Sequence, residues 1–260
     1  MDSNEPLILG HRGASAVAPE NTLAAFSQAI HEGAEGIEFD VRLSSDGVAV
    51  VIHDDTLNRT GLVLGAVSAL TAAQLQQTDV GSWFATRFAK ETIPSLAAVF
   101  NLFASNNAVL YVEMKCAELE APALAKAVVR QIEEHKIRER VVVESFALSA
   151  IAEVKRINPR VRTAALFEPR LSKPLTTLRV QTILKLARQH HADEIALHHT
   201  LARTKAVQAA KDDGFEVVVW TVDDETWIER ARTSGIKALI SNNPRVMVEA
   251  RNGHPQIRPR

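Results

Sequence analysis

The feature that most constrains the fold of this chain is a repeated alternation of short β-rich runs with longer amphipathic segments. The nine runs are Leu7–Leu9, Gly36–Leu43, Val48–Ile52, Ala108–Met114, Val141–Phe146, Arg162–Phe167, Glu194–Leu197, Glu216–Val222 and Lys237–Ile240. Between most of them, apolar residues recur with helical spacing. Leu23, Phe26 and Ile30 share one such face, with Asn21 as the predicted N-cap and Gly33 just past the end. This alternation predicts βαβ units and a parallel sheet.

The third run differs from the others because only residues 44–47 separate it from the run before. The Asp-Gly pair in this segment is typical of a hairpin turn, and a parallel return needs a crossover of about a dozen residues. These two strands are therefore predicted to be antiparallel. The eight remaining strands predict an α/β fold of the (β/α)₈ TIM-barrel type. The symmetry of the hairpin returns His53 to the level of Asp40.

The domain organisation follows from the same pattern. Residues 1–250 are predicted to form one barrel domain, since barrels of this length fold as a single unit. Residues of about 55–92 are irregular and predict a small insertion that folds over the C-terminal mouth of the barrel. A packed loop without a substrate role is an equally open interpretation. Residues 251–260 contain Gly, Pro and Arg and are predicted to be a mobile tail.

The composition excludes several classes of protein. A net charge of −1 argues against a protein that binds nucleic acid or membranes through its overall charge. The sequence contains no apolar stretch of 18 residues, so no membrane span is predicted. The single cysteine, Cys116, cannot form an internal disulfide. The first six residues lack a basic and an apolar region, so no signal peptide is predicted. We expect a cytoplasmic protein that acts on a small molecule; the oligomeric state is left open.

Carboxylates interrupt two of the predicted barrel strands. Glu38 and Asp40 lie two residues apart and therefore face the same side, while Glu113 ends another strand. Because the inward face of an ordinary barrel is filled by Val, Ile and Leu, inward carboxylates indicate a bound cation. Three carboxylates at one mouth favour a hard ion, Mg²⁺ or Ca²⁺. The alternative is that Glu38 and Asp40 form the solvated face of an edge strand.

Further polar residues follow the strand ends, where barrel enzymes hold their active sites. His11 and His53 are predicted to transfer protons, and Arg12 to hold a phosphate with its two-pronged guanidinium. Lys115 is a second candidate phosphate ligand, with a salt bridge to a neighbouring carboxylate as the alternative. Trp220 is predicted to wall the site, with ordinary packing as the alternative.

Known catalytic motifs narrow the choice of chemistry. The Walker, dinucleotide-binding, serine-hydrolase and H-E-x-x-H zinc motifs do not occur in the sequence. The motifs that do occur are His11-Arg12-Gly13, Pro19-Glu20-Asn21-Thr22, Glu38-Phe39-Asp40-Val41, His53-Asp54, Glu113-Met114-Lys115 and Trp220-Thr221-Val222. In order and spacing they resemble the glycerophosphodiester phosphodiesterase family, of the bacterial cytoplasmic type. The resemblance spans roughly residues 7–244.

The resemblance implies an activity and a set of roles. It implies hydrolysis of glycerophosphodiesters to sn-glycerol 3-phosphate and an alcohol, with one divalent cation. The roles it implies are metal ligation by Glu38, Asp40 and Glu113, acid–base catalysis by His11 and His53, substrate contacts by Arg12, Lys115 and Trp220, and support from Glu20 and Asn21. Which histidine is the acid, and whether water or the glycerol 2-hydroxyl attacks, remain open.

The sequence departs from the family pattern twice. Arg59-Thr60 is followed by Gly61-Leu62, where the family usually has a second Thr and an Asn-Gly turn. Residues 241–244 read Ser-Asn-Asn-Pro, where the family usually has Thr-Asp, and we interpret that acid as structural. Two other functions remain open as alternatives. One is a Schiff-base lyase that uses Lys115, and the other is a non-catalytic member that binds a phosphodiester.

Overall fold

The computed structural model describes residues 5–169 and 179–253 of the chain. Nine strands lie in this part of the chain: β1 (Leu7–His11), β2 (Gly36–Leu43), β3 (Ala49–Val51), β4 (Val109–Met114), β5 (Val141–Ser145), β6 (Arg162–Phe167), β7 (Glu194–His198), β8 (Glu216–Trp220) and β9 (Ala238–Ser241). Each predicted run overlaps one of these strands. The predicted and observed boundaries differ by at most two residues.

Eight of the strands close into a parallel barrel. Hydrogen bonding follows the order β1, β9, β8, β7, β6, β5, β4, β2, and β2 then pairs with β1. Strand β3 stands apart, because it pairs with β2 in the antiparallel sense, with Val41 opposite Val51. The amide of Ile52 donates to the carbonyl of Asp40 at 3.0 Å, so His53 lies one residue past the level of Asp40. The predicted (β/α)₈ barrel with its hairpin is confirmed.

Helices follow the strands and cover the outside of the barrel. They are α1 (Leu23–His31), α2 (Ala72–Leu75), α3 (Leu96–Leu102), α4 (Ala121–His135), α5 (Leu148–Ile157), α6 (Val180–Gln189), α7 (Thr204–Asp212), α8 (Thr226–Ser234) and α9 (Pro244–Arg251), with short 3₁₀ turns at Val67–Ala69, Thr86–Phe88 and Arg138–Arg140. Apart from α2, which lies in the segment between β3 and α3, the helices α1 to α8 connect successive barrel strands. Helix α9 follows the last strand. Every helix in the described ranges is too short or too polar to cross a membrane.

Alternation along β2 decides what faces the helices and what faces the barrel interior. Ile37, Phe39 and Val41 are buried in the layer between barrel and helices, where Phe39 packs on Phe26 of α1. The side chains between them therefore point inward. An apolar layer fills the interior below the mouth, formed by Leu9, Tyr111, Val142, Ala164, Leu166, Ala196, Val218, Ala238 and Ile240. The barrel is thus a packed core with polar residues collected at its upper end.

The segment between β3 and α3 is a compact insertion. It has a small apolar core of its own, made by Val50, Ile52, Leu57, Val67, Ala72, Leu75, Val80 and Ile93. A bridge between Val50 and Ser95 ties its two ends to the barrel. The predicted insertion therefore corresponds to an ordered unit at the mouth of the barrel. Whether it acts on substrate stays a prediction.

Two details of the sequence interpretation are wrong. Thr22, not Asn21, caps α1, since its hydroxyl accepts from the amide of Ala25. The predicted tail also begins too early, because α9 continues through Arg251 and this side chain forms an ion pair with Glu35 at 2.6 Å. Gly253 is the last described residue of that region, and the rest of the predicted tail lies outside the described residues.

Candidate active site

Three carboxylates meet at the mouth of the barrel. Asp40 of β2 lies opposite Glu113 of β4, and Glu38 lies one inward position below Asp40. One oxygen of each carboxylate lies within 4.8 Å of one oxygen of the others, and all three side chains are buried. Strand β2 is paired on both sides, by β1 and β4, so the alternative of a solvated edge strand is wrong.

Burial and mutual repulsion raise the pKa of two of the three carboxyl groups. Burial, followed by the charges of Asp40 and Glu113, raises the pKa of Glu38 well above its usual value. Burial and Asp40 likewise raise the pKa of Glu113 to about 7. Burial also opposes ionisation of Asp40, but Arg12 and Lys115 outweigh it and hold the pKa of that carboxyl below its usual value. A cation at this position relieves the repulsion.

The donor set fits a hard cation. Lys115 Nζ lies 2.7 Å from Glu113 Oε1 and 3.4 Å from Asp40 Oδ1, so a positive charge already stands beside two of the carboxylates. Glu38 Oε1 is buried and accepts no hydrogen bond from the described residues. A buried carboxylate oxygen without a donor is costly unless a cation contacts it. The cluster is therefore able to hold a metal ion.

His11 ends β1 and is held by the last strand of the barrel. Its Nδ1 lies 2.6 Å from Oδ1 of Asn242, and its Nε2 lies 3.8 Å from Glu38 Oε2. The Nδ2 of Asn242 donates to Asp223 at 2.8 Å, which fixes the amide so that its oxygen faces the imidazole. Nδ1 of His11 is therefore the protonated nitrogen, and Nε2 is the free base. Burial, followed by the charge of Arg12, lowers the pKa of His11 to about 4.

His53 follows the hairpin strand and has a different partner. Its Nδ1 lies 2.7 Å from Oδ1 of Asp54, a carboxylate rather than an amide. Arg42 Nε donates to the backbone carbonyl of His53 at 2.8 Å and fixes the chain at this point. Burial lowers the pKa of His53, while the charge of Asp40 opposes this shift. Each histidine thus has Nδ1 held by an acceptor, but only His53 has an anionic one.

Arg12 is held rigidly beside the carboxylates. Its backbone has a φ of 56°, an uncommon conformation that Gly13, with a φ of 84°, continues. Its Nη1 donates to Glu20 Oε1 at 2.8 Å, and its Nε lies 3.1 Å from Asp40 Oδ2. Asn21 donates to the same Asp40 oxygen at 2.8 Å. Glu20 therefore contacts Arg12, and Asn21 contacts Asp40; their supporting role in the reaction stays a prediction.

A cavity of about 410 Å³ opens above these groups. Its walls combine the polar residues already described with Glu144, Phe146, Leu166, Glu168, Trp220 and Ile240. The rings of Phe146 and Trp220 meet edge to face, with 5.5 Å between their centroids. The cavity is thus lined by charged side chains around the carboxylates and by the two aromatic rings.

Comparison with known proteins identifies the family. The profile of the "Glycerophosphoryl diester phosphodiesterase family" matches residues 11–246. A glycerophosphodiester phosphodiesterase of Caldanaerobacter subterraneus is 31% identical over 242 residues, covering 93% of this chain and 96% of that protein. The chain belongs to the glycerophosphoryl diester phosphodiesterase family. It is accordingly a phosphoric diester hydrolase.

Solved structures of similar proteins agree with this family. A phosphodiesterase of Oleispira antarctica, in complex with the product sn-glycerol-3-phosphate, has a TM-score of 0.85 at 27% identity, covering 95% of this chain and 97% of that one. A glycerophosphodiester phosphodiesterase of Agrobacterium tumefaciens has a TM-score of 0.78 at 29% identity, with 93% and 98% covered. The match thus extends over nearly the whole barrel of each phosphodiesterase.

The structure brings all the predicted site residues of this phosphodiesterase together. The predicted groups that line the cavity are His11, Arg12, Glu38, His53, Glu113, Lys115 and Trp220, and Asp40, Glu20 and Asn21 contact them from behind. Their roles in the reaction stay predictions. The expected salt bridge of Lys115 is present, and it does not exclude a contact with substrate.

Several residues that line or support the site were not predicted. Glu144 is buried in line with Glu113, and the alternation along its strand could have revealed it. Phe146 follows by the same alternation. Asn242 contacts His11 across 231 positions, a contact that the interpretation of this position as structural did not specify. Arg59 contacts both Glu20 and Asp54 from the insertion, where no sequence periodicity indicates which side chains point inward.

Proposed function

We propose that this phosphodiesterase hydrolyses glycerophosphodiesters to sn-glycerol 3-phosphate and an alcohol, with one divalent cation. The observation that carries the proposal is the arrangement of two histidines and one arginine around three buried carboxylates at the wall of a single cavity. The Oleispira antarctica phosphodiesterase, which is similar over nearly the whole chain, was solved with sn-glycerol-3-phosphate as its product. That product supports the assignment of the substrate class.

The proposed metal ligands are Glu38, Asp40 and Glu113. Carboxylate oxygens favour Mg²⁺ or Ca²⁺, the two ions that we propose for this site. When bound, the ion supplies positive charge that polarises the P–O bonds of the substrate. Its presence also offsets the repulsion that raises the pKa of Glu38 and Glu113.

The charges of the substrate match the two cations of the cavity. A phosphodiester carries one negative charge shared by two oxygens. Arg12, held at both ends by Glu20 and Asp40, presents a pre-oriented guanidinium that is suited to these oxygens. Lys115 adds a second positive charge from β4. Phe146, whose ring centroid lies 5.5 Å from Lys115 Nζ, and Trp220 add apolar surface to the same cavity, and an apolar surface beside a charge strengthens its electrostatic contacts.

The partners of the two histidines suggest how the proton transfers are divided. A carboxylate beside Nδ1 stabilises an imidazolium, whereas an amide oxygen orients the ring without a compensating charge. His53, beside Asp54, is therefore the proposed general acid that protonates the departing alcohol. His11, beside Asn242 and with a pKa lowered by burial to about 4, is the proposed base that activates the nucleophile through Nε2.

The lyase alternative is disfavoured by the state of Lys115. Burial disfavours the ammonium, but Glu113 and Asp40 outweigh this effect and raise the pKa of Lys115 above its usual value. A Schiff base needs a neutral amine, so a lysine held as an ammonium is a poor nucleophile.

A turnover assay tests the proposed function and separates it from a non-catalytic role. The protein is freed of metal with a chelator and incubated with glycerophosphocholine, with and without added Mg²⁺ or Ca²⁺, and sn-glycerol 3-phosphate is measured. We expect product only with added divalent ion. Full activity in excess chelator would contradict the metal assignment. Absence of product under every condition would instead favour the alternative of a non-catalytic protein that binds a phosphodiester.

A further inference from the structure

Arg59 lies at the base of the insertion and contacts two carboxylates at once. Its Nε lies 2.7 Å from Asp54 Oδ2, and its Nη1 lies 2.7 Å from Glu20 Oε2. Its Nη2 lies 2.8 Å from Glu20 Oε1 and 3.1 Å from Asp54 Oδ1. The planar guanidinium is thus bidentate toward each of two side chains that come from different parts of the chain.

Each of these carboxylates also holds a residue of the proposed catalytic site. Glu20 Oε1, which accepts from Nη2 of Arg59, also accepts from Nη1 of Arg12 at 2.8 Å. Asp54 Oδ1, which accepts from the same Nη2, is also the partner of Nδ1 of His53. One nitrogen of Arg59 therefore joins the oxygen that orients Arg12 to the oxygen that orients His53.

We propose that Arg59 is a positioning residue that couples the phosphate-binding Arg12 to the acid His53. The coupling is geometric, because a shift of either carboxylate moves the shared guanidinium and, through it, the other carboxylate. Lysine keeps the charge but offers donors from a single point, so it cannot span both carboxylates in two-pronged fashion. The competing interpretation is that Arg59 only anchors the insertion. This inference rests on the proposed roles of Arg12 and His53.

The insertion does not depend on Arg59 for its attachment. Its own apolar core and the bridge from Val50 to Ser95 hold it on the barrel. Arg59 is 43% exposed, so solvent screens its ion pairs and limits what they contribute to stability. Replacement of Arg59 should therefore leave the melting temperature nearly unchanged while it impairs the reaction. A purely structural anchor predicts the opposite pattern.

A double-mutant cycle tests the coupling. Glu20→Gln and Asp54→Asn are combined, first with Arg59 present and then in the Arg59→Ala background, and kcat and KM are measured on glycerophosphocholine with saturating divalent ion. With Arg59 present, we expect the two effects on kcat/KM to deviate from additivity by about fivefold or more. In the Arg59→Ala background we expect them to be additive. Additivity in both backgrounds would overturn the proposal.

Single variants give a second and independent test. Arg59→Ala should lower kcat/KM by about 10- to 100-fold, and Arg59→Lys should rescue only a small part of the loss. Arg87→Ala is the matched control, because this arginine of the same insertion contacts the carbonyl of Val17 and neither carboxylate. Its activity should match that of the wild type. Full rescue by lysine would show that charge alone matters and would refute the positioning role.

A spectroscopic test does not depend on turnover. The ¹⁵N resonances of the His53 imidazole report the protonation of its two ring nitrogens. Glu20→Gln, which does not touch His53, should shift these resonances, and the shift should vanish in the Arg59→Ala background. If the wild type proves inactive, the proposed function fails while this measurement still decides the coupling. If the wild type is active but the resonances ignore Glu20, the coupling fails and the function stands.

Discussion

Replacement of Asn242 by aspartate should move the pH dependence of the reaction in a defined direction. Asn242 Oδ1 lies 2.6 Å from Nδ1 of His11, so Asn242→Asp places a carboxylate against the proposed base. A negative charge there favours the imidazolium and raises the pKa of His11. For charge centres about 4 Å apart and an effective dielectric of about 20, Coulomb's law gives about 4 kcal/mol, or about 3 pKa units. Repulsion from Asp223 and solvent reduce this, and observed shifts for such pairs are about 1–3 units.

The assay is the pH dependence of kcat/KM, which reports groups of the free enzyme. A base works only when it is neutral, so activity rises as pH increases through the pKa of His11. In the wild type burial lowers this pKa to about 4, so the rise should lie well below neutrality. In Asn242→Asp the rise should move upward by about 1–3 pH units. The imidazole resonances of His11, followed across the same pH range with saturating divalent ion, measure the shift directly.

An exchange variant separates the position of the charge from its amount. Asn242→Asp combined with Asp223→Asn keeps the total charge, and its new amide can still donate to the residue beside His11. The rise in activity should again lie above that of the wild type. An unchanged rise in both variants would refute the proposal that His11 is the base held by Asn242. A shift that occurs only when the total charge changes would refute the argument from position.

Three further predictions follow from the same site. Glu113→Gln should weaken divalent-ion binding about 10- to 100-fold without lowering the melting temperature of the metal-free protein, because it removes a repulsive charge; calorimetry measures both. Arg12→Lys should lose much of kcat/KM, and near-wild-type activity would exclude a bidentate contact. His53→Ala should lose about 10²- to 10⁴-fold on glycerophosphocholine but far less on a nitrophenyl phosphodiester, whose leaving group needs no proton. His11→Ala should be impaired on both, and equal selectivity in the two variants would exclude the acid–base division.

The fold was largely predictable because its signals are local. Alternating strands and amphipathic helices specify βαβ units, and residues 44–47 can only connect antiparallel neighbours. From this alone His53 was placed within one residue of the level of Asp40. The carboxylates were also predictable, since inward positions of a barrel strand are normally apolar. The N-cap of α1 was misassigned because Asn21 turns its side chain to Asp40 instead, a contact between separate elements.

The rest of the site depends on contacts that no local pattern encodes. Asn242 reaches His11 only because β9 pairs with β1 when the barrel closes. Arg59 reaches Glu20 across 39 positions, from a segment without strand or helix period. Glu144 is different, because the alternation that turns Glu113 inward on its strand turns Glu144 inward on the next one as well. The limit therefore lies in long-range contacts rather than in the chemistry of the individual residues.

The two histidines are held through the same ring nitrogen, and they differ in the partners that hold it. Each has Nδ1 held by an oxygen at 2.6–2.7 Å, so both rings present Nε2 as the reactive atom. Asn242 supplies an amide and Asp54 a carboxylate. The carboxylate of Asp54 is itself shared with Arg59, which connects it to the network around Arg12. The proposed asymmetry of the proton transfers thus arises at two points, the closing seam of the barrel and the base of the insertion. Both lie outside the strands that carry the carboxylates, and at the base of the insertion Glu20 and Arg12 connect Arg59 to Asp40.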